Sequence, residues 1–335
     1  MRPSRRHVLR AGLLGGLGRM LVGDATRLVP RRRLGHAFGT TVAVTLAAAG
    51  GREGEAALDA AFAEIRAVER SASLFEPASE VVRLNATSRL DDPSPALLDL
   101  LALAARLHAQ SDGAFDCTIQ PLWRCYADAL AQGRLPDAGQ RAAALARVGA
   151  AALETGPRAV RLGGPDYGVT LNALVQGYAA DRVSAVLRGF AVADALIDTG
   201  ELGLMGHRPD GRDWRVLLVE AGRRQASFPA ARSAPLFVAT SADSELSFTA
   251  DHRLHHILDP RTGISPPELA ATTVTAPSGL LADGLSTTLM LVGAERGAAL
   301  LRAFPGTAAL LTFKDRSELV LGDFPDRPAE ADGAA

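Results

Sequence analysis

Asp251-His-Arg-Leu-His255-His256-Ile-Leu-Asp259-Pro260-Arg261-Thr262-Gly263, followed downstream by Leu281-Ala-Asp283-Gly-Leu-Ser-Thr287-Thr-Leu289, is the stretch from which the rest of this chain can be read. The first half sets imidazoles and a carboxylate against a turn punctuated by Pro260 and Gly263, residues that fix backbone rather than pack. In an extended strand His255 and His256 point to opposite faces, so at most one of them faces a given pocket. In the second half Asp283 and Thr287 stand at i and i+4, which on a helix puts both side-chain oxygens on one face. Hard oxygen donors on one face suit Mg²⁺, which takes few protein oxygens and completes its shell with substrate phosphates. A His pair is more often structural than catalytic, and a helix-start acid with a buried Thr explains Asp-x-x-x-Thr equally well. The adjoining rigid turn raises the weight of a positioned site.

Working outward, apolar periodicity alternates between helix and strand. Residues 40–46 alternate with β-branched side chains and read as a first strand. Residues 193–197, 214–219, 236–239, 272–275 and 308–313 read as further strands. Helical spacing of apolar residues predicts helices over 56–70, 95–110, 137–145, 177–187, 280–292 and 294–304. Residues 73–80 form a turn-rich loop in which Ser79 caps a short helix carrying Val81, Val82 and Leu84. Asp198-Thr-Gly200-Glu201 is a turn. Helices and strands mix without a regular βαβ repeat, so the expected fold class is α+β. The expectation is of mixed helices and antiparallel-rich sheets in a single globular unit of two intimate subdomains.

The chain has 335 residues, 47% hydrophobic and 22% charged, enough for a core that needs no staples. A net charge of -1 gives no reason to expect nucleic acid as a partner. Two cysteines, Cys117 and Cys125, are too few for a disulfide framework; on one helix they would lie about 12 Å apart, too far to bridge. Ser4-Arg5-Arg6-His7-Val8-Leu9-Arg10 resembles a twin-arginine export signal. The apolar run behind it, residues 11–17, is too short to span a bilayer. Arg31-Arg32-Arg33 reads as a solvated linker. The expected partition is an export signal and basic linker over 1–34, a folded domain over 35–325 and a frayed acidic tail over 326–335. The expected location is the periplasm or the outer face of the inner membrane, with the N-terminus cleaved or kept as an anchor. No Walker loop, GxGxxG after a strand, zinc-type Cys/His spacing or Gly-x-Ser-x-Gly elbow is present.

Several segments then fall in a recognisable order: Gly39-Thr40-Thr41; Ser73-Leu-Phe75-Glu-Pro77-Ala-Ser79-Glu80; Asn85; Gly113 to Asp116; Gly177-Tyr-Ala-Ala-Asp181; Ala239 to Asp243; His256 to Gly263; Ala282 to Thr287. In this order they resemble the ApbE family, the FAD:protein FMN transferases. The resemblance implies FAD as substrate, with Mg²⁺ at its pyrophosphate. A Thr or Ser hydroxyl of a client redox protein attacks the FMN-side phosphorus and AMP leaves. It also implies metal ligands: the Asp283 and Thr287 side chains and the Ala173 carbonyl. Phe38, Phe75, Ala114, Phe115 and Asp116 would line the FAD site, with Thr170, Gln176 and Ile257 nearby. His256 would activate the acceptor hydroxyl or contact phosphate, with Asp259 of the same motif counted as catalytic beside it. Thr170 stands where the family often has an acid and Gln176 where it often has Lys, a pattern similar to the NosX-type branch. Two other activities use the same residues: an FAD-binding carrier without transfer, and an FAD pyrophosphatase giving FMN and AMP.

Overall fold

The computed structural model describes residues 29–48, 51–208, 210–218, 224–228, 235–324 and 327–328. The twin-arginine segment, its apolar run and most of the acidic tail lie outside the described residues. The described residues open with strands β1 (Val29–Ala37) and β2 (Thr40–Ala48), paired antiparallel around a Phe38-Gly39 turn. Arg31-Arg32-Arg33, expected as a linker, lies inside β1. Period-two alternation sends Arg31 and Arg33 to one side, where they meet Glu55 and Asp59 at 2.6 to 2.9 Å. Those acids ride on helix α1 (Gly51–Ala72), whose Leu58, Ala61, Phe62, Ile65 and Val68 form its buried stripe. Next come α2 (Glu80–Thr87), β3 (Arg89–Asp91), α3 (Pro95–Gln110), α4 (Gln120–Ala131) and α5 (Ala138–Leu145). Ser79, Ser94 and Asp137 accept hydrogen bonds from the first turns of α2, α3 and α5, the caps such residues provide.

Strands β4 (Leu153–Thr155) and β5 (Ala159–Leu162) join β3 in a small sheet. Helix α6 (Val175–Gly189) leads into β6 (Ala195–Asp198), β7 (Leu202–Met205), β8 (Trp214–Leu218), β9 (Arg224–Phe228), β10 (Leu236–Ala242) and β11 (Leu269–Ala276). Helix α7 (Gly279–Arg302), β12 (Ala308–Phe313), β13 (Glu318–Leu321) and β14 (Arg327–Pro328) complete the order. The two helices expected over 280–292 and 294–304 both form in α7, parted by a kink at Gly293, whose φ of 74° is not helical. Residues 327 and 328 of the expected frayed tail pair with β9.

The main sheet has eight strands in the order β1-β2-β6-β7-β10-β11-β12-β13. Every pairing is antiparallel, as the absence of βαβ units led us to expect. Both faces are covered. Phe237, Ala239, Ala309 and Leu311 pack with the helices, while Val238, Ala308 and Leu310 pack with Trp214, Val216 and Phe228 of the three-stranded sheet β14-β9-β8. All eight residues of β11 are buried as a result, which is why that strand does not alternate in the sequence. A third cluster ties the His256 region to α4. Tyr126 stacks on Phe248 at 5.0 Å and its hydroxyl donates to the Gly263 carbonyl at 2.8 Å.

Candidate active site

Helices α6 and α7 meet at their first turns through two glycines. A Cβ on Gly177 would sit 2.1 Å from the Gly279 carbonyl oxygen, and one on Gly279 would sit 2.4 Å from that of Gly177. Backbone lies on backbone, and glycine is required at both positions. Each helix then caps the other. Asp181, one turn beyond Gly177 on α6, accepts from the amides of Gly279 (2.8 Å) and Leu280 (2.9 Å) and from the Ser278 hydroxyl (2.8 Å). Asp283, one turn into α7, accepts from the Gly177 amide at 2.9 Å and from that of Gln176. The exchange is written twice in the sequence, as Gly177-Tyr-Ala-Ala-Asp181 and Gly279-Leu-Leu-Ala-Asp283. It leaves the start of α6 unlike an open anion site, because a carboxylate already occupies its amides. In a regular helix the Gly177 N–H would close onto the Ala173 carbonyl, four residues back; here it turns to Asp283.

A cavity of ≈ 980 Å³ opens onto this junction, at the upper end of the roughly 300–1,000 Å³ of ligand pockets. Of the residues expected from the sequence, Phe38, Phe75, Phe115, Asp116, Thr170, Ala173, Gln176, His256, Ile257, Asp283 and Thr287 line it. Two lie elsewhere. Ala114 is wholly buried in the hydrophobic core. Asp259 faces its own turn: Oδ1 accepts from the Arg261 amide at 2.8 Å, both oxygens meet the Arg261 guanidinium, and the Asp259 carbonyl accepts from Gly263. Gly263 takes φ 74° there. The catalytic expectation for Asp259 gives way to a structural one: its carboxylate builds the turn and does not reach the cavity.

The charge in the cavity is lopsided. Asp116, Glu201, Glu245 and Asp283 line it, against Arg124 and His256. Asp116 is committed elsewhere, with Oδ1 held by the Thr118 amide and hydroxyl and Oδ2 3.4 Å from His108. Burial pushes the Asp283 carboxyl up to about 7; the Gly177 amide opposes this and the charge of Glu245 adds to it. Glu201, whose Oε2 accepts from the Thr240 amide at 3.1 Å, is held well above the usual carboxylate range by burial and then by the charges of Asp283 and Glu245. Beside Asp283 on α7, the Thr287 hydroxyl lies 3.0 Å from Ser241 Oγ, which also meets Ser286 Oγ at 2.8 Å. Among the described residues no group of three or more His, Cys, Asp or Glu is gathered for a metal. The three residues expected as ligands, Ala173, Asp283 and Thr287, all line the cavity; a carboxylate, a hydroxyl and a backbone carbonyl would be hard oxygen donors, the kind Mg²⁺ takes.

His256 is partly exposed to the cavity. Its Nδ1 lies 3.3 Å from the Leu246 carbonyl and its Nε2 3.8 Å from Glu245. Burial lowers its pKa, against the Leu246 carbonyl and the charge of Asp243, which raise it. His255 is wholly buried, and among the described residues neither ring nitrogen makes a hydrogen bond of good geometry, with the Pro266 backbone a polar influence on the ring. Burial, and then the neighbouring His256, push its pKa down to about 4. Only His256 lines the cavity, but the two rings stay close, 6.3 Å between centroids and edge to face, in irregular chain bridged from Ser247 to His255 rather than in a strand.

The neutral residues at 170 and 176 have structural work. The Gln176 side chain packs under the turn of residues 198–201: a Cβ on Gly200 (φ 100°) would come 2.3 Å from its Nε2. The Thr199 hydroxyl donates to the Gln176 carbonyl at 2.8 Å. That contact carries Glu201 to the cavity. Thr170 accepts from the Asn172 amide at 3.3 Å. Sequence reading did not single out Glu201, Ser241 and Glu245 as site residues. The turn holding Glu201 was visible, but nothing local says that it abuts the start of α6.

Comparison with known proteins gives the family and the fold. The model of the ApbE family matches residues 38–311. A FAD:protein FMN transferase of Salmonella typhimurium is 30% identical over 257 residues, covering 72% of this chain and 73% of the relative. One from Klebsiella pneumoniae is 29% identical over 265 residues, covering 76% and 75%. The crystal structure of the flavinyl transferase ApbE of Pseudomonas stutzeri, in its apo form, superposes with a TM-score of 0.73 at 29% identity, over 88% of this chain and 96% of that one. The flavin transferase ApbE of Vibrio cholerae gives 0.74 at 24% identity, over 88% and 98%, a likeness of fold.

Proposed function

The chain belongs to the ApbE family, whose model covers most of its length, and we propose that it uses Mg²⁺ to transfer the FMN half of FAD to a threonine or serine hydroxyl of a client redox protein, releasing AMP. The observation that carries this reading is the charge of the cavity. An anionic diphosphate would meet the desolvated carboxyls of Asp283 and Glu201 at the junction of the two helices, with Arg124 as the lining cation and His256 neutral beside them. Such a ligand settles there when a divalent cation stands between. Asp283, Thr287 and the Ala173 carbonyl would hold it. Bound there, Mg²⁺ supplies neutralisation of charge on the phosphate oxygens.

The chain's own residues do the rest. Phe38, Phe75 and Phe115 offer apolar ring faces for the flavin. His256, kept neutral near pH 7 by its lowered pKa, accepts the proton of the acceptor hydroxyl. The hydroxyl oxygen bonds to the FMN-side phosphorus as the phosphorus–oxygen bond to the AMP phosphate breaks, and AMP leaves with that electron pair. Incubation with FAD, Mg²⁺ and an acceptor protein bearing an Asp-x-x-Thr-type flavinylation threonine should give, by mass spectrometry, an FMN adduct and an equal amount of AMP. Tight FAD binding without turnover would favour a carrier instead, and free FMN with AMP but no adduct would favour hydrolysis.

We place the reaction on the outer side of the inner membrane, on the strength of the twin-arginine segment. No helix among the described residues is long and apolar enough to cross a membrane. A fusion of residues 1–40 to a folded reporter should be exported; retention in the cytoplasm would refute this location.

A further inference from the structure

We infer that Asp181, which does not line the cavity, is a positioning residue for the cation site, acting through the exchanged caps of α6 and α7; the inference rests on the metal reading above. The prospective ligands come from two separate elements. Ala173 sits on the approach to α6, and Asp283 and Thr287 sit on α7. Their spacing is therefore set by how the two first turns meet. Asp181 fixes the first turn of α7 with three hydrogen bonds, from Ser278, Gly279 and Leu280. One turn further on, Asp283 fixes the first turn of α6 through Gly177. Between them the glycine contact has no slack, since a Cβ on either side would meet the other's carbonyl at 2.1 or 2.4 Å. A first turn released from Asp181 shifts against its neighbour, and the Gly177 to Asp283 bond shifts with it. Asp283 is thus both cap and prospective ligand, and its place depends on a carboxylate 102 residues earlier in the chain, at position 181 against 283.

The test uses the full chain with Asp181→Ala, Asp181→Asn and, as a control, Asp137→Ala. Asp137 caps α5 through a reciprocal box with Gln140 and touches neither α6 nor α7. Two quantities are read: hydrogen exchange at the Gly177 amide without any ligand, and binding of Mn²⁺ alone followed by electron paramagnetic resonance. Asp181→Ala should reduce Gly177 protection and weaken Mn²⁺ binding, each by about five- to tenfold, the worth of one lost cap. Asp181→Asn, which keeps one acceptor oxygen, should fall between. Asp137→Ala should lower the melting temperature and leave both quantities unchanged. Unchanged Gly177 protection in Asp181→Ala overturns the coupling. Reduced protection with unchanged Mn²⁺ affinity overturns the positioning role and leaves Asp181 a stability residue. A wild-type chain that takes up no Mn²⁺ refutes the metal reading itself and the cation half of this inference, while Gly177 exchange still decides the coupling.

Discussion

Replacing Gly177 with alanine sets two effects of opposite sign against each other. Intrinsic helix propensity favours alanine over glycine by about 1 kcal/mol. Packing opposes it. The new methyl would lie 2.1 Å from the Gly279 carbonyl oxygen, 2.5 Å from its carbon and 2.6 Å from Asp283 Cβ, whereas carbon contacts are comfortable near about 3.5–4.0 Å. The atoms met are backbone at the start of a helix, so no flexible side chain can swing aside. The helices must part by roughly 1 Å, and overpacking of this kind costs about 1–3 kcal/mol. The same retreat takes the 2.9 Å bond from Gly177 to Asp283 out of range. A buried amide left without its acceptor costs about 1–3 kcal/mol more. With the propensity gain subtracted, Gly177→Ala should lose about 1–5 kcal/mol in urea unfolding followed by circular dichroism, and FMN transfer should fall with the displaced Asp283. Gly279→Ala should behave alike, because its methyl would meet Gly177 at 2.4 Å. A Gly177→Ala chain as stable as the wild type, or more so, would refute the close junction and leave propensity as the whole account.

Asp283→Asn keeps an oxygen to cap α6 but loses the charge, so its unfolding midpoint should stay within about 1 kcal/mol of wild type while transfer drops on the order of a hundredfold or more; equal turnover would sink the metal assignment. Stability should also respond to pH and Mg²⁺ together. The carboxyls of Asp283 and Glu201 are raised in the folded chain, so the ion-free protein loses stability as the pH rises from about 4 through neutrality, where the unfolded chain is already ionised. Mg²⁺ competes with those protons, and the rise in melting temperature it produces should be larger at pH 8 than at pH 5.5; equal rises would contradict the shared site. Asp259→Ala should unfold about 1–2 kcal/mol more easily yet keep turnover per folded molecule within a few-fold, and loss of transfer at unchanged stability would restore Asp259 to a catalytic role.

Local order was legible because its causes are local. Ser79, Ser94 and Asp137 cap the helices that follow them, and period-two alternation marked β2, since each is a matter of a few consecutive residues. Strands such as β1 escaped notice because a charge run masks the alternation: Arg31 and Arg33 reach the acids of α1, which a sequence reading cannot see. Asp259 and Glu201 went astray for the same reason in opposite directions. Asp259 lies in the right motif, but its oxygens are consumed by Arg261 within that motif. Glu201 lies in an ordinary turn, but Gln176 beneath Gly200 carries it to the cavity.

By itself the sequence determined the α+β class, most helix and strand positions, and most of the residues that line the candidate site. The tertiary structure decided which of them meet. Gly177-Tyr-Ala-Ala-Asp181 and Gly279-Leu-Leu-Ala-Asp283 each stand out in the sequence only as separate segments; their exchange of caps links residues 98 and 106 positions apart. Pairing at that separation comes from the packing of two helices on one sheet, and no local propensity encodes it.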